Sequence, residues 1–425
     1  MSVYLHDIPL EEALLTFHNA LEKVNLWQRL ESEEIPLDEH AAGRVLSSPV
    51  WAKISSPHYH ASAMDGYAIK ADDTEGALPS QPVILQIGSK ATYIDTGDPL
   101  PDWSDAVIPI ENVEPVDEEG NVIQTRLPFA IRIRAAAAHW SHIRPMGEDI
   151  VATELVLPEG KVLRPVDLGA LAASGHTLVN VSRKPIVGII PTGTELISIG
   201  EPVHQGDIIE FNSCVLAAQI NEWGGQALRH SIVKDDFSRI QSAVREMAAH
   251  SDLILLNAGS SAGSEDFSSR VIESLGEVLV HGIAVRPGHP VILGIINADG
   301  KHVPAIGVPG YPVSAALTTE VIIEPLLARW LGRPPQHRPT VNAAITKKTN
   351  SPAGDDDFLR VSVGKVGNRI LAAPLSRGAG MITSLVRADG IVKIPRGIQG
   401  LSAGSDVKVE LFNSVFEIEN TILVI

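Results

Sequence analysis

Short, almost wholly apolar runs recur through the middle third of the chain, at 185–190, 253–256, 278–285, 291–296 and 303–306. They alternate with stretches at 213–223, 237–250, 265–275 and 313–331 whose apolar residues fall at helical spacing. Runs without polar alternation are expected of parallel strands covered on both faces. Interleaved with helices, they predict a central three-layer α/β domain with a mostly parallel sheet, over 183–333. The flanking thirds differ. Residues 8–28 predict an amphipathic helix, with Asp7 placed as its cap and Glu11 and Glu12 in its first turn. From 51 to 148, β-prone pieces at 83–87, 106–110, 122–125 and 130–133 are separated by Gly, Pro and Asp turns, which predicts an inserted β-rich module. A helical pattern returns at 165–173, so 1–50 plus 149–182 are expected to form one elongated N-terminal linker domain around that insertion. After Pro334 and Pro335, strands are predicted at 341–345, 359–363, 391–394 and 406–411, between Gly-rich turns. They suggest a C-terminal β-barrel over 334–425. The fold class expected is therefore multidomain, α/β and β.

Composition narrows the function classes. The 425 residues suit about three compact units, at roughly 150 residues each. A net charge of −17, with no block of Lys or Arg, argues against nucleic acid as a partner. An anionic small molecule would have to be held by local amides, a few cations or a metal ion. One cysteine, Cys214, excludes a disulfide framework and a Cys-based metal site within the chain. No apolar run approaches the ~20 residues of a membrane span, and the first residues lack a signal-peptide pattern. No membrane partner and a cytoplasmic location are expected.

In open α/β sheets ligands bind beyond the carboxyl ends of the strands, where the loops gather. Four loops there are rich in Gly, Pro, Ser and Thr: PTGTE at 191–195, AGSSAGSED at 258–266, RPGHP at 286–290 and GVPGYPVS at 307–314. The second is a candidate anion cradle, because glycine admits close backbone approach and a helix is predicted to follow. Glu265 and Asp266 would repel phosphate unless a divalent cation stood between them, or else they are first-turn acids complementing the helix dipole.

SAMDGYA at 62–68, TGDPLP at 96–101 and IRPMGED at 143–149 are each explicable as turns. Taken in order with TGTEL at 192–196, the Gly/Ser loop, RPGHP and GVPGYPVSA at 307–315, they resemble the molybdopterin molybdenumtransferase (molybdenum insertase) family, to which the E domain of gephyrin belongs. The likeness spans essentially the whole chain. It implies a transferase of molybdenum cofactor biosynthesis that takes molybdate and adenylated molybdopterin, cleaves the pterin–AMP phosphoanhydride with Mg²⁺, releases AMP and leaves the metal on the substrate's own dithiolene. It implies a homodimer whose active site lies between subunits, and contact with the molybdopterin adenylyltransferase. Carried over residue by residue, the resemblance makes Asp65, Asp149, Glu195 and Asp266 catalytic, with Asp266, Glu195 and Asp236 (or its neighbour Asp235) as metal ligands. Substrate would be held by Thr96, Arg144, Thr192, Gly193, Gly259, Ser260, Ser261, Gly263, Ser264, Arg286, His289, Pro309, Gly310, Ser314 and Arg360.

The ligand shell departs from the family pattern at Ser260-Ser261-Ala262, at Thr194, at His289 where Lys is usual, and at Tyr311 where Asn is usual. These departures suggest a divergent branch. They leave open a catalytically altered homologue that binds a pterin, molybdate or tungstate as carrier or scaffold. Outside the motifs, His58 and His60 are expected at the surface with no third metal ligand. Asp355, Asp356 and Asp357 are expected in a solvated turn, and Cys214 is expected packed as a small hydrophobe.

Overall fold

The computed structural model describes residues 7–125, 128–257 and 267–414. The chain divides into two compact units, one of 33–181 and one formed by the residues before and after it.

In the second of these, helix α1 (Leu10–Lys23) buries Leu10, Ala13, Phe17 and Leu21, the stripe its spacing dictates. That stripe joins the core of the central sheet, with Val280, Leu293 and Ile295. Residues 10–23 therefore pack with the α/β domain, whereas the sequence pattern had grouped them with the elongated domain. The position before α1 is Pro9, which makes no side-chain cap; Asp7 lies instead 3.1 Å from His289 Nε2.

The 33–181 unit holds two three-stranded antiparallel sheets. Strands β1 (Gly66–Ile69), β2 (Val83–Gln86), β3 (Ala91–Ile94), β4 (Ala106–Pro109), β5 (Val113–Val116) and β6 (Ala130–Ile133) pair in the orders β3-β1-β4 and β2-β6-β5. The expected strand at 122–125 is reduced to a single bridge from Val122 to Val116. Residues flanking the module form a smaller core of Leu46, Val50, Leu163, Leu171 and Val181 under helix α2 (Pro165–Ala173). Asp167 closes the first turn of α2 with Arg164, whose guanidinium holds the carboxyl down to about 2.

The central domain runs β7 (Ile186–Pro191), α3 (Asn212–Glu222), β8 (Gln226–Arg229), α4 (Phe237–His250), β9 (Leu253–Asn257), α5 (Phe267–Leu275), β10 (Gly276–His281), β11 (Ile292–Ala298) and β12 (Lys301–Val308). Its sheet order is β8-β7-β9-β12-β11-β10. The first four strands are parallel, β11 is antiparallel to both of its neighbours, and β10 at the edge therefore runs with the first four. The reversal at β11–β12 is made by Asp299 and Gly300, both at positive φ (52° and 88°), as a tight hairpin turn requires. One expected helix at 313–331 is instead α6 (Pro312–Thr318), a π-helical turn (Thr319–Ile323) and α7 (Glu324–Leu331). Pro325 has no N–H to continue the helical ladder, and the widened turn lies immediately before it.

The last segment is a closed five-stranded barrel, in the order β14-β15-β13-β17-β16 and back to β14, built from β13 (Thr340–Ile345), β14 (Asp356–Val366), β15 (Arg369–Pro374), β16 (Gly390–Ile394) and β17 (Asp406–Leu411). Sequence patterning missed β15. The short strand Val285–Arg286 pairs with Asp356 and Asp357 at the start of β14, tying the RPGHP loop to the barrel.

Two consequences are measurable. A Cβ at Gly66 would run into the Ile108 carbonyl of β4. Gly66→Ala is expected to cost about 2 kcal/mol or more in denaturant titration; a variant as stable as the parent would contradict the strand pairing. His139 lies between Asp105 (2.8 Å) and Asp72 (3.1 Å). The hydrogen bond and charge of Asp105, then Asp72, raise its pKa above the ordinary 6.5. The imidazolium contact therefore stabilises the fold fully below the ordinary value and fades as pH rises through the raised one. The thermal midpoint gap between parent and His139→Ala should be widest at about pH 5.5 and close toward about pH 9; a gap that widens with pH would contradict the pairing.

Candidate functional site

Strands β7, β9 and β12 end level with one another: Pro191 is in register with Asn257, and Asn257 with Val308. The loops that leave them therefore start from one edge. Asn257 is buried, and its Nδ2 donates to the Pro309 carbonyl at 3.2 Å, while its own carbonyl accepts from Thr192 N at 3.0 Å. Gly310 offers its carbonyl to Asn212 Nδ2 at 2.7 Å. A cavity of about 450 Å³ opens here, lined by Thr192, Glu195, Asn212, Asn257, Gly310 and Tyr311 together with the apolar Leu196, Ile208, Ile209 and Phe211. That volume suits a small ligand.

Several expected site residues converge on this edge: Thr192, Glu195 and Gly310 line the cavity, and Gly193 donates its N–H to the Val233 carbonyl at 3.0 Å. Ser314 is buried in α6. The two acids weighed as alternatives separate. Asp235 accepts from Thr194 N at 3.1 Å, whereas Asp236 caps α4, accepting from Arg239 N and Ser238 Oγ, which lower its pKa. Gly259, Ser260, Ser261, Gly263, Ser264 and Asp266 lie outside the described residues. Among the described residues no group of three or more His, Cys, Asp or Glu could hold a metal.

A second cavity, of about 370 Å³, lies against the barrel, lined by Arg286, Arg360, Arg377, Asp357 and Phe358 among others. The expectation of a solvated turn at 355–357 is overturned here, because all three acids are buried and each serves a different cation. Asp355 pairs with Arg286, Asp356 with Lys393 and Asp357 with Arg377. Arg360 is 3% exposed and has no carboxylate partner among the described residues. One Arg360 guanidinium nitrogen donates to the Ser376 carbonyl at 2.8 Å, and its Nε makes no hydrogen bond among the described residues. Burial lowers the pKa of Arg360; burial and then the neighbouring Arg286 charge lower that of Arg377. A buried guanidinium short of acceptors is chemically suited to an oxyanion. His289, in contrast, faces Asp7.

The 33–181 unit assembles a third group. Ile143 and Arg144 pair with Ser62 and Ala61, and Gly97 N donates to the Ser62 carbonyl, so three motifs distant in sequence meet. Asp65 Oδ1 accepts from Thr96 N (2.8 Å) and Thr96 Oγ1 (2.7 Å), and these bonds hold its pKa below the ordinary value. Asp65 is thus kept as an exposed carboxylate. Arg144 Nε donates to Glu148 at 2.8 Å, and Asp149 is exposed beside it.

Sequence patterning did not single out Asn212, Asn257 or Arg377 as site residues. Asn257 could have been found, as a polar residue ending an apolar strand at the carboxyl edge; Arg377 sits in a Gly-rich barrel loop with no pattern around it. Cys214 is exposed on α3, not packed as expected.

Three family models match along the chain: the MoeA N-terminal region (domain I and II) over 8–175, the "Probable molybdopterin binding domain" over 188–329, and the MoeA C-terminal region (domain IV) over 342–412. Molybdopterin molybdenumtransferase 2 of Mycobacterium tuberculosis is 31% identical over 88% of this chain and 94% of its own. The Bacillus subtilis molybdopterin molybdenumtransferase is 29% identical over 90% of each. The crystal structure of the molybdopterin biosynthesis MoeA protein from Pyrococcus horikoshii superimposes with a TM-score of 0.79 at 32% identity, covering 96% of this chain and all of that one. With its ordered motifs, its α/β domain and its closed barrel, this chain belongs to the molybdopterin molybdenumtransferase (MoeA) family.

Proposed function

We propose that the chain is a molybdopterin molybdenumtransferase that inserts molybdate into adenylated molybdopterin and releases AMP. The observation that carries the proposal is the pair of neighbouring cavities. One is lined by Glu195 and the loops of the sheet edge, and the other is a pocket of arginines in which the buried Arg360 guanidinium has no carboxylate partner among the described residues. The barrel loop 376–380 lines both: Arg377 and Ala379 face the arginine cavity and Gly380 the other.

In this proposal the pterin nucleotide occupies the sheet-edge cavity, held by Thr192, Gly193 and the backbone around Pro309, Gly310 and Ser314, with the 258–264 loop as its phosphate cradle. Molybdate occupies the arginine cavity, where Arg360 and Arg286 offer charged donors. Glu195 and Asp266 would hold Mg²⁺, a cation that commonly takes one or two carboxylates plus substrate phosphate, and it would offset charge developing on the leaving phosphate. Asp236, committed as the α4 cap, is the weakest of the ligand candidates. The module residues Asp65, Thr96, Arg144 and Asp149 complete the site from a second copy of the chain, and substrate is handed over by the molybdopterin adenylyltransferase. No helix among the described residues is long and apolar enough to cross a membrane. A cytoplasmic location belongs to the proposal itself and does not follow from that absence.

The pairing of His289 with Asp7 favours the rival reading, a homologue that binds pterin or oxyanion without turnover, because a donor at that loop is turned to a carboxylate. The two separate in one assay. Purified protein given adenylated molybdopterin, Mg²⁺ and molybdate should release AMP in a metal-dependent manner; tight pterin binding with no AMP release would sink the transferase and leave the carrier. A second outcome concerns Arg360. Arg360→Met should weaken molybdate binding about 10- to 100-fold by calorimetry without lowering the thermal midpoint, since a buried unpaired charge is removed. Unchanged molybdate affinity would remove Arg360 from the oxyanion site.

A further inference from the structure

The sheet-edge cavity has acids and amides at its polar positions, but much of its wall is the apolar surface of Leu196, Ile208, Ile209 and Phe211. Tyr311 stands at its rim, 59% exposed, and its hydroxyl makes no hydrogen bond among the described residues. The ring is nonetheless held in place through the backbone. Tyr311 has the extended conformation (φ −69°, ψ 128°) expected before Pro312, which opens α6. Its carbonyl accepts from Ala315 N at 2.8 Å, and the preceding Gly310 carbonyl is fixed by Asn212. On the barrel side the ring lies against Gly380: a Cβ built there would sit 3.4 Å from Tyr311 Cδ1. That loop is itself pinned by the hydrogen bond from Val313 N to the Ala379 carbonyl, at 3.1 Å.

An aromatic ring set at a cavity mouth, braced by glycine and left open to solvent, adds little to the core. It offers a π-face, and planar heterocycles stack on such faces with little dependence on their substituents. We propose that Tyr311 is the stacking platform for a fused, planar nitrogen heterocycle of the substrate, either the pterin or the adenine ring. This rests on the transferase reading for the identity of the substrate. The apolar walls would enclose the bicycle's edge, while the phosphates would extend toward Glu195 and Thr192.

The test uses the full-length protein, its Tyr311→Ala and Tyr311→Phe variants, and two probes: pterin, followed by its own fluorescence, and 5′-AMP, followed by calorimetry. Tyr311→Ala should weaken one of the two about tenfold and leave the other unchanged, which identifies the stacked ring. Tyr311→Phe, which keeps the π-face, should bind that probe as the parent does. Equal affinities of parent and Tyr311→Ala for both probes would overturn the proposal, as would a Phe variant as weak as Ala, or a parent that binds neither probe. A fall in oligomeric mass on Tyr311→Ala with both affinities intact would make the ring an interface residue and overturn it too. Failure of the transferase reading is read separately, from AMP release. A parent without turnover but with Tyr311-dependent pterin binding keeps the platform, and a parent with turnover and a Tyr311-independent affinity loses only the platform.

Discussion

The parallel register of β7, β9 and β12 is the constraint on which the candidate site depends. Because Pro191, Asn257 and Val308 are neighbours in that register, three loops leave the sheet at one height and converge. The core behind them holds the register: Val187, Ile189, Leu253, Leu255 and Ile306 are fully buried on one side of the sheet, and Ile190, Ile254, Leu256 and Ala305 on the other. A slip of one residue would exchange the two sets and tear the Asn257–Pro309 contact. The polar atoms at the edge are thus positioned by buried apolar residues on both faces of the sheet.

Electrostatics at the second cavity follow a different logic. A chain of net charge −17 repels anions at long range, so an oxyanion must be captured locally. In the proposed reading the arginine cavity would do this by desolvation. Arg286 and Arg377 are each balanced by an aspartate, while Arg360 is buried without one among the described residues. The strand pairing of Val285–Arg286 with β14 brings the α/β loop and the barrel into this arrangement. Barrel and sheet edge are thereby tied together, and the 376–380 loop lines both cavities.

Much of this was legible in the sequence where a pattern is periodic and local. Apolar runs marked five of the six strands of the central sheet, while β8, the edge strand QALR at 226–229, has no such run and was missed; the Gly/Pro loops marked the edge where the cavity opens. The motif order carried the family. What stayed hidden depends on contacts distant in sequence. Three consecutive aspartates at 355–357 look like a solvated turn until Arg286, Lys393 and Arg377 are brought to them by the barrel's closure. The helix at 10–23 was legible as a helix, but nothing local says that its stripe covers the sheet formed by residues beyond 183. The helical spacing over 313–331 reads as one helix straight through Pro325, and the π-turn that interrupts it depends on packing.

The most direct test of the central claim is a crystal structure of the protein with adenylated molybdopterin bound. The account predicts the pterin nucleotide in the cavity at the ends of β7, β9 and β12, in contact with Thr192, Glu195 and Tyr311. Electron density for the nucleotide elsewhere, such as the open groove beside α4 lined by His230, Lys234 and Arg239, would contradict it.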